Sequence, residues 1–245
     1  MDSHTDLSKL GHALANHRGA KLAELALVFA LPLVFLLGTA RFAGGDPLRF
    51  QALVWVANVM MLTLIWFGLR LRGEGWAEIG TPFTKPARST ALRTVGLSLL
   101  VFIFAIGAFI VGAIVAANIF GMPEGGADTS EYGYMSGNLP MLLGALAAAW
   151  VVSSWGEEVV YRGFLINRFA ELSTSRFRWA AAVIGSAVLF GLAHFSWGPS
   201  GMVQTGFMGL ALGIAYLKLG RNLWVTVLAH AYMDTILFVQ MYLGG

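Results

Sequence analysis

Seven windows of mostly apolar residues, at 22–40, 52–69, 94–120, 139–156, 179–195, 202–217 and 223–243, run through nearly the whole chain. A helix that crosses a bilayer needs roughly 17–25 such residues, so the windows predict seven spans, of which the sixth is the shortest. A mean hydropathy of +0.70, with 57% hydrophobic and 12% charged residues, lies outside the makeup of a soluble domain. The expected fold class is therefore all-α, a polytopic transmembrane helix bundle of about seven spans in the cell membrane, with the lipid bilayer as its first partner.

The basic residues mark topology. Lys9, Arg18 and Lys21 precede the first span; Arg70, Arg72, Lys85, Arg88 and Arg93 fall between the second and third. Arg162, Arg168, Arg176 and Arg178 lie between the cores of the fourth and fifth, and Lys218 and Arg221 between the last two. Fourteen of the 16 Lys and Arg thus share one side, leaving Arg41 and Arg49 on the other. The positive-inside rule then predicts a cytoplasmic N-terminus and an external C-terminus. This distribution accounts for the net charge of +3, and no basic cluster sits on a soluble module, so no nucleic-acid partner is expected.

Cysteine is absent, which excludes disulfides, thiolate zinc sites and cysteine nucleophiles. Residues 1–21 read as a cytoplasmic N-terminal segment and 22–245 as a single transmembrane domain with its chemistry in 139–240. The first span lacks a short apolar region followed by a small-residue cleavage site and reads as an uncleaved signal anchor. Pro32 should kink it. No internal repeat is visible, which argues against a repeat-built transporter. The Gly- and Pro-punctuated connection RLRGEGWAEIGTPFTKPARSTALR is expected at the headgroup surface. The acidic connection GMPEGGADTSEYGYMSGN belongs outside.

Ionisable groups within spans cost about 2.5–3.5 kcal/mol each on insertion scales, and they usually face a bundle interior and serve function. Here they are few and concentrated: the second and third spans have none, whereas the second half of the chain carries Glu157, Glu158, Arg162, His194, His230 and Asp234. Glu158 and Arg162 are four residues apart, with the acid first, the better orientation for a helical ion pair. Glu157 is turned about 100° from Glu158 on an α-helix and need not share that arginine. His230 and Asp234 are also four apart, on one face of the last span. If the fourth span continues to about residue 171, the rise of 1.5 Å per residue puts Glu157 about 21 Å from its end and His194 about 24 Å from Arg178. All of these groups can then meet inside the membrane.

A carboxylate and a histidine facing each other can activate water as a general base, and a second histidine with a polar partner can steady an oxyanion. Peptide-bond hydrolysis fits that set, with a membrane protein or peptide as substrate. A divalent metal, zinc for example, could be held by Glu157, His194 and His230, although the spacings do not demand one. GPSG at 198–201 imitates a rhomboid-like site with Ser200 as nucleophile and His230 as base, but Pro-Ser-Gly is also an ordinary turn signal. A proton-coupled transporter using Glu, His and Asp as a relay, and a non-catalytic membrane scaffold, are the readings of other classes. Oligomeric state is not legible.

The motifs resemble those of a known family. EEVVYRG at 157–163 is similar to the EExxxR motif of the CPBP family, also called the ABI or CAAX-protease family of intramembrane proteases. FGLAH (Phe190 to His194) resembles its FxxxH motif, and HAYMD (His230 to Asp234) its HxxxN or HxxxD motif. The three follow the family order, and GEGWAEIG at 73–80 resembles a loop seen in many members. The resemblance implies that Glu157 and His194 activate water, that His230 and Asp234 stabilise the oxyanion, and that Glu158 and Arg162 hold the glutamate helix. Asp234 departs from the asparagine of the prenyl-protein endopeptidases. A carboxylate cannot donate a hydrogen bond unless protonated, so orienting His230 or binding a metal becomes its alternative role. Family members include prenyl-protein endopeptidases, peptide-cleaving enzymes and proteins with immunity or scaffold roles.

Overall fold

In the computed structural model, residues 9–82, 86–121 and 130–244 are described, and all regular elements among them are helical. Expectations that fall on residues 1–8, on Lys85 and on the 122–129 part of the acidic connection lie outside the described residues. A short helix α1 (Lys9–Asn16) leads into α2 (Arg18–Thr39), α3 (Pro47–Leu71) and the 33-residue α4 (Arg88–Phe120). A fourth crossing runs from α5 (Leu139–Ala148) through π-helical turns to α6 (Asn167–Glu171), and is followed by α7 (Arg178–Ala193), α8 (Gly198–Lys218) and α9 (Leu223–Tyr242).

Among the described residues, six helical stretches are long and apolar enough to cross a membrane, and α7, at 16 residues, is a shorter apolar helix beside them. The short element is therefore the fifth, whereas the sequence windows pointed to the sixth. The reason is local. GPSG forms the first turn of α8, with Pro199 in its opening positions, where a missing N–H and a fixed φ do no harm. The helix thus begins four residues before its apolar window. Asp46 and Asn138 cap α3 and α5 by accepting from the backbone N–H of Arg49 and Met141. Around α4, Leu100, Ile103 and Ile114 stay exposed, as a lipid-facing surface requires.

α8 packs between α4 and α7, while α9 lies along α4. α7 and α8 come close because Gly191 has no side chain: a Cβ there would press on the Met202 carbonyl and Gly206. Residues 158–166 of the fourth crossing are all buried at the centre of this bundle.

The end of the molecule that carries the basic connections is closed. The 72–82 segment, expected on the membrane surface, instead tucks inward: Arg72, Ile79 and Thr81 are buried. Tyr216 Oη donates to the Ile79 carbonyl at 3.2 Å, and Leu223 N to the Gly80 carbonyl at 3.0 Å. Gly80 has φ +97° and lies against the Arg221 carbonyl, a position that any Cβ would obstruct. Ion pairs also join α2, the segment that follows α3, and α6 at this end. Arg72 pairs with Glu24 and approaches Glu171 at 3.6 Å; Arg168 pairs with Glu74 and, at 2.6 Å, with Glu171; Lys21 reaches Glu171 at 2.8 Å.

Candidate active site

The fourth crossing leaves α-helical hydrogen bonding over Ala149–Trp155 and again over Glu158–Ile166, where π turns take over. Such turns are rare, and they frequently mark functional sites. Here polar side chains take up backbone carbonyls along them. Asn58 Nδ2 donates to the Val152 carbonyl at 2.9 Å, Ser186 Oγ to that of Tyr161 at 2.7 Å, and Asn167 Nδ2 to that of Gly163 at 2.5 Å. Glu157 stands between the two π segments and Glu158 opens the second, and the two side chains diverge.

Glu158 points into the protein and is fully buried. Its Oε1 accepts from Arg162 Nη1 at 2.6 Å and from His230 Nδ1 at 3.0 Å. The arginine, also buried, lies over the Phe190 ring at 4.3 Å and comes within 3.4 Å of the Gly209 carbonyl. Two buried charges are thus paired and further supported by a ring face and a carbonyl, the condition under which a buried pair is tolerated.

Glu157 lines a cavity of about 1110 Å³ together with His194, His230 and Asp234. Its carboxylate makes no ion pair or hydrogen bond among the described residues. His194 stands just beyond the C-terminal end of α7, where its Nδ1 is 2.8 Å from the Phe190 carbonyl. A carbonyl only accepts, so Nδ1 carries the proton and the Nε2 lone pair is free to take another. The Phe190 ring lies 4.8 Å from the His194 ring and 6.1 Å from that of His230. Trp197 closes on the far edge of His194 at 5.1 Å. Asp234 accepts from Ser154 Oγ at 2.7 Å through one oxygen, and its other lies 3.7 Å from His230 Nε2.

All six candidate residues therefore meet: four line one cavity, and Glu158 with Arg162 lies directly behind His230. Ser200 is in the first turn of α8 and does not line the cavity. Asn58 and Ser154 escaped the sequence reading as site residues, and Phe190 entered it only as the first residue of the FGLAH motif. Asn58 had a signal, being a lone amide in the apolar window 52–69. Ser154, in SSW, needed the packing to be recognised, as did the contacts of the Phe190 ring with Arg162, His194 and His230.

The donor set does not suit a metal. Both ring nitrogens of His230 face carboxylates, and among the described residues no group of three His, Asp or Glu side chains converges as a binding set. A catalytic zinc takes three protein ligands.

A family model, type II CAAX prenyl endopeptidase Rce1-like, matches residues 139–236. Those residues, less than half of the chain, are similar to that family. The match begins at the N-terminal residue of α5, ends two residues past Asp234 and contains every candidate site residue. At family level it supports an intramembrane CAAX-type endopeptidase in a multi-pass membrane protein. No curated protein and no solved structure matches the chain significantly. α1 to α4 lie outside the Rce1-like match, yet α2 and α3 supply one wall of its cavity, Asn58 included.

Proposed function

We propose that the protein is an intramembrane endopeptidase that hydrolyses peptide bonds of membrane-associated proteins or peptides with a water molecule activated by Glu157 and His194. The observation behind this reading is that an unpaired carboxylate and a free imidazole nitrogen face one cavity, while the neighbouring carboxylate is fully engaged by Arg162 and His230.

Water between Glu157 and His194 gives up a proton as its oxygen adds to the scissile carbonyl carbon. That carbonyl oxygen becomes an oxyanion. In its doubly protonated form His230 keeps Nδ1–H on Glu158 and turns Nε2–H toward the oxyanion. Asp234, which already accepts from Ser154, orients His230 rather than donating. When the C–N bond breaks, the stored proton passes to the leaving nitrogen, so the products are a carboxylate and an amine. General acid–base assistance of this kind contributes typically about 10²–10⁴-fold.

The test is a comparison of N-terminal peptides from membranes carrying wild-type protein with those from membranes carrying Glu157→Gln. Cleavages present only with wild type are expected. Identical peptide profiles together with full cellular function of the variant would sink the enzyme reading in favour of a scaffold. Glu157-dependent solute or proton flux in proteoliposomes without cleavage would favour a transporter. Ser200→Ala should cleave normally.

A further inference from the structure

We infer that an anionic phospholipid headgroup binds where the α6–α7 connection meets the α8–α9 connection, its phosphate held by Arg178 and Arg221 beside the Trp179 indole.

Composition singles this surface out. Residues 172–233 contain four Lys or Arg, namely Arg176, Arg178, Lys218 and Arg221, and no Asp or Glu. All four are exposed, and among the described residues none of them pairs with a carboxylate. Glu171, the acid that precedes them, is already shared by Lys21, Arg72 and Arg168. A surface of uncompensated cations attracts an anion.

The fold brings two of these cations to one ring. The guanidinium carbon of Arg178 lies 5.6 Å from the centre of the Trp179 ring, and that of Arg221, from the α8–α9 connection, lies 5.6 Å from the same centre. The two groups are therefore within twice that distance of each other, close enough to grip one phosphate from two sides. Each presents five N–H donors in a planar fork that matches phosphate oxygens. Among the described residues the Arg178 side chain makes no hydrogen bond or ion pair, and Arg221 engages only Nη1, which donates to Asn167 Oδ1 at 3.1 Å.

Arg221 is held more firmly than a topology marker needs. Its φ is +59°, and it is the only non-glycine residue with a positive φ among the described residues. That conformation is uncommon for an arginine, and backbone strain of this kind concentrates at functional sites. Its N–H donates to the Tyr216 carbonyl at 2.8 Å, and its own carbonyl fills the space that Gly80 leaves free. Asn167 is fixed in turn, its Nδ2 donating to Tyr216 Oη at 2.9 Å. A positive charge anywhere in the connection would serve membrane insertion. A guanidinium fixed beside a second one serves a bound partner.

Depth supplies the occupant. Arg178 is the first residue of α7, Lys218 the last of α8, and α9 starts at Leu223, so the cluster stands where apolar helices end, at the level of the headgroups. Phe177, 61% exposed, and Trp179 are the aromatic residues expected at that level. The phosphate present there is that of a lipid, and basic pockets between membrane helices take anionic headgroups. The site is the same whichever way the chain crosses the bilayer.

The test uses the full-length protein in detergent micelles, titrated with phosphatidylglycerol, phosphatidylcholine or inorganic phosphate, with bound lipid counted by native mass spectrometry. Phosphatidylglycerol should bind in preference to phosphatidylcholine, and inorganic phosphate at the same concentration should not displace it. Arg178→Gln should weaken phosphatidylglycerol binding about fivefold, and Arg178→Gln with Arg221→Gln about 25-fold, the worth of one and two arginines at a membrane surface. Arg41→Gln removes an equally exposed arginine, which rests on Phe42 in the α2–α3 connection, and should leave binding unchanged. The Arg178 side chain has only its ring contact to lose, so its variant reports on binding even where Arg221→Gln fails to fold. Equal retention of the two lipids, or equal weakening by Arg41→Gln, would reduce the effect to non-specific or diffuse attraction. Full binding by Arg178→Gln would place the lipid elsewhere, and displacement by inorganic phosphate would make the site one for a free anion. Each of these results overturns the proposal.

Discussion

His230 Nδ1 lies 3.0 Å from Glu158 Oε1, the same oxygen that accepts from Arg162. One carboxylate oxygen therefore holds two cationic or potentially cationic groups from two different helices, and the second glutamate is left without a direct partner. Glu158→Ala should strand Arg162 as a buried charge over Phe190 and release His230, a loss of about 3–5 kcal/mol for breaking such a pair. Arg162→Ala should cost a similar amount. A Glu158→Leu, Arg162→Met double substitution should recover much of the stability without recovering cleavage, because His230 still lacks its anchor. Thermal melts in detergent, read as a double-mutant cycle, check this; simple additivity would mean that the pair is not coupled.

Glu157→Gln separates chemistry from folding. Its carboxylate lines the cavity with no hydrogen bond to lose, so stability should stay within about 0.5 kcal/mol of wild type, as at sites free of buried interactions. Cleavage should fall by about 10²–10⁴-fold, the contribution of a general base. A variant that melts far lower would show that Glu157 is a structural group, and residual cleavage near the wild-type rate would assign the base to His194 alone.

Much of the site was legible because an ionisable residue in an apolar window is expensive, so Glu157, Glu158, Arg162, His230 and Asp234 stood out by position alone. Helical spacing gave the Glu158–Arg162 pair directly. It could not give the contact of His230 with Glu158, 72 residues away, since that depends on how α9 packs against the fourth crossing. Nor could it give the π turns, which owe their stability to side chains on other helices such as Asn58 and Ser186. The closed end was missed for a related reason. Arg72 and Arg168 read as topology markers, and nothing local reveals that Glu24 and Glu171 come from elsewhere to bury them.

Asp234→Asn tests the acceptor role. An amide can keep its oxygen on Ser154 Oγ and turn its N–H toward the cavity. Stability should change by no more than about 1 kcal/mol, the net worth of one hydrogen bond, and cleavage should persist. Asp234→Ala should lose both the Ser154 bond and the orientation of His230, with cleavage falling. Single-turnover cleavage of both variants in proteoliposomes measures this. Loss of activity in the asparagine form would mean that the negative charge itself is required.

Chelation should leave the enzyme active. Both nitrogens of His230 face carboxylates, and the proposed hydrolysis proceeds through Glu157, His194 and water. Purified protein dialysed against a strong chelator is expected to cleave at the untreated rate, and elemental analysis should show no stoichiometric zinc. Loss of cleavage restored by added zinc would show that His230 exchanges Glu158 for a metal.

Asn58→Leu probes the structure beneath the catalytic carboxylate. Its Nδ2 donates to the Val152 carbonyl, five residues before Glu157, and helps to hold the π-helical course of 149–155. With leucine that buried carbonyl loses its partner, at about 1–3 kcal/mol, and the segment is free to relax toward α-helical bonding. Such a change would rotate the residues after it and swing Glu157 away from His194. The expected signature is a moderate fall in melting temperature with a disproportionate fall in the rate of cleavage, while Asn58→Gln, which retains the amide donor, recovers part of both. Equal and proportionate losses in the two variants would mean that Asn58 acts only through packing.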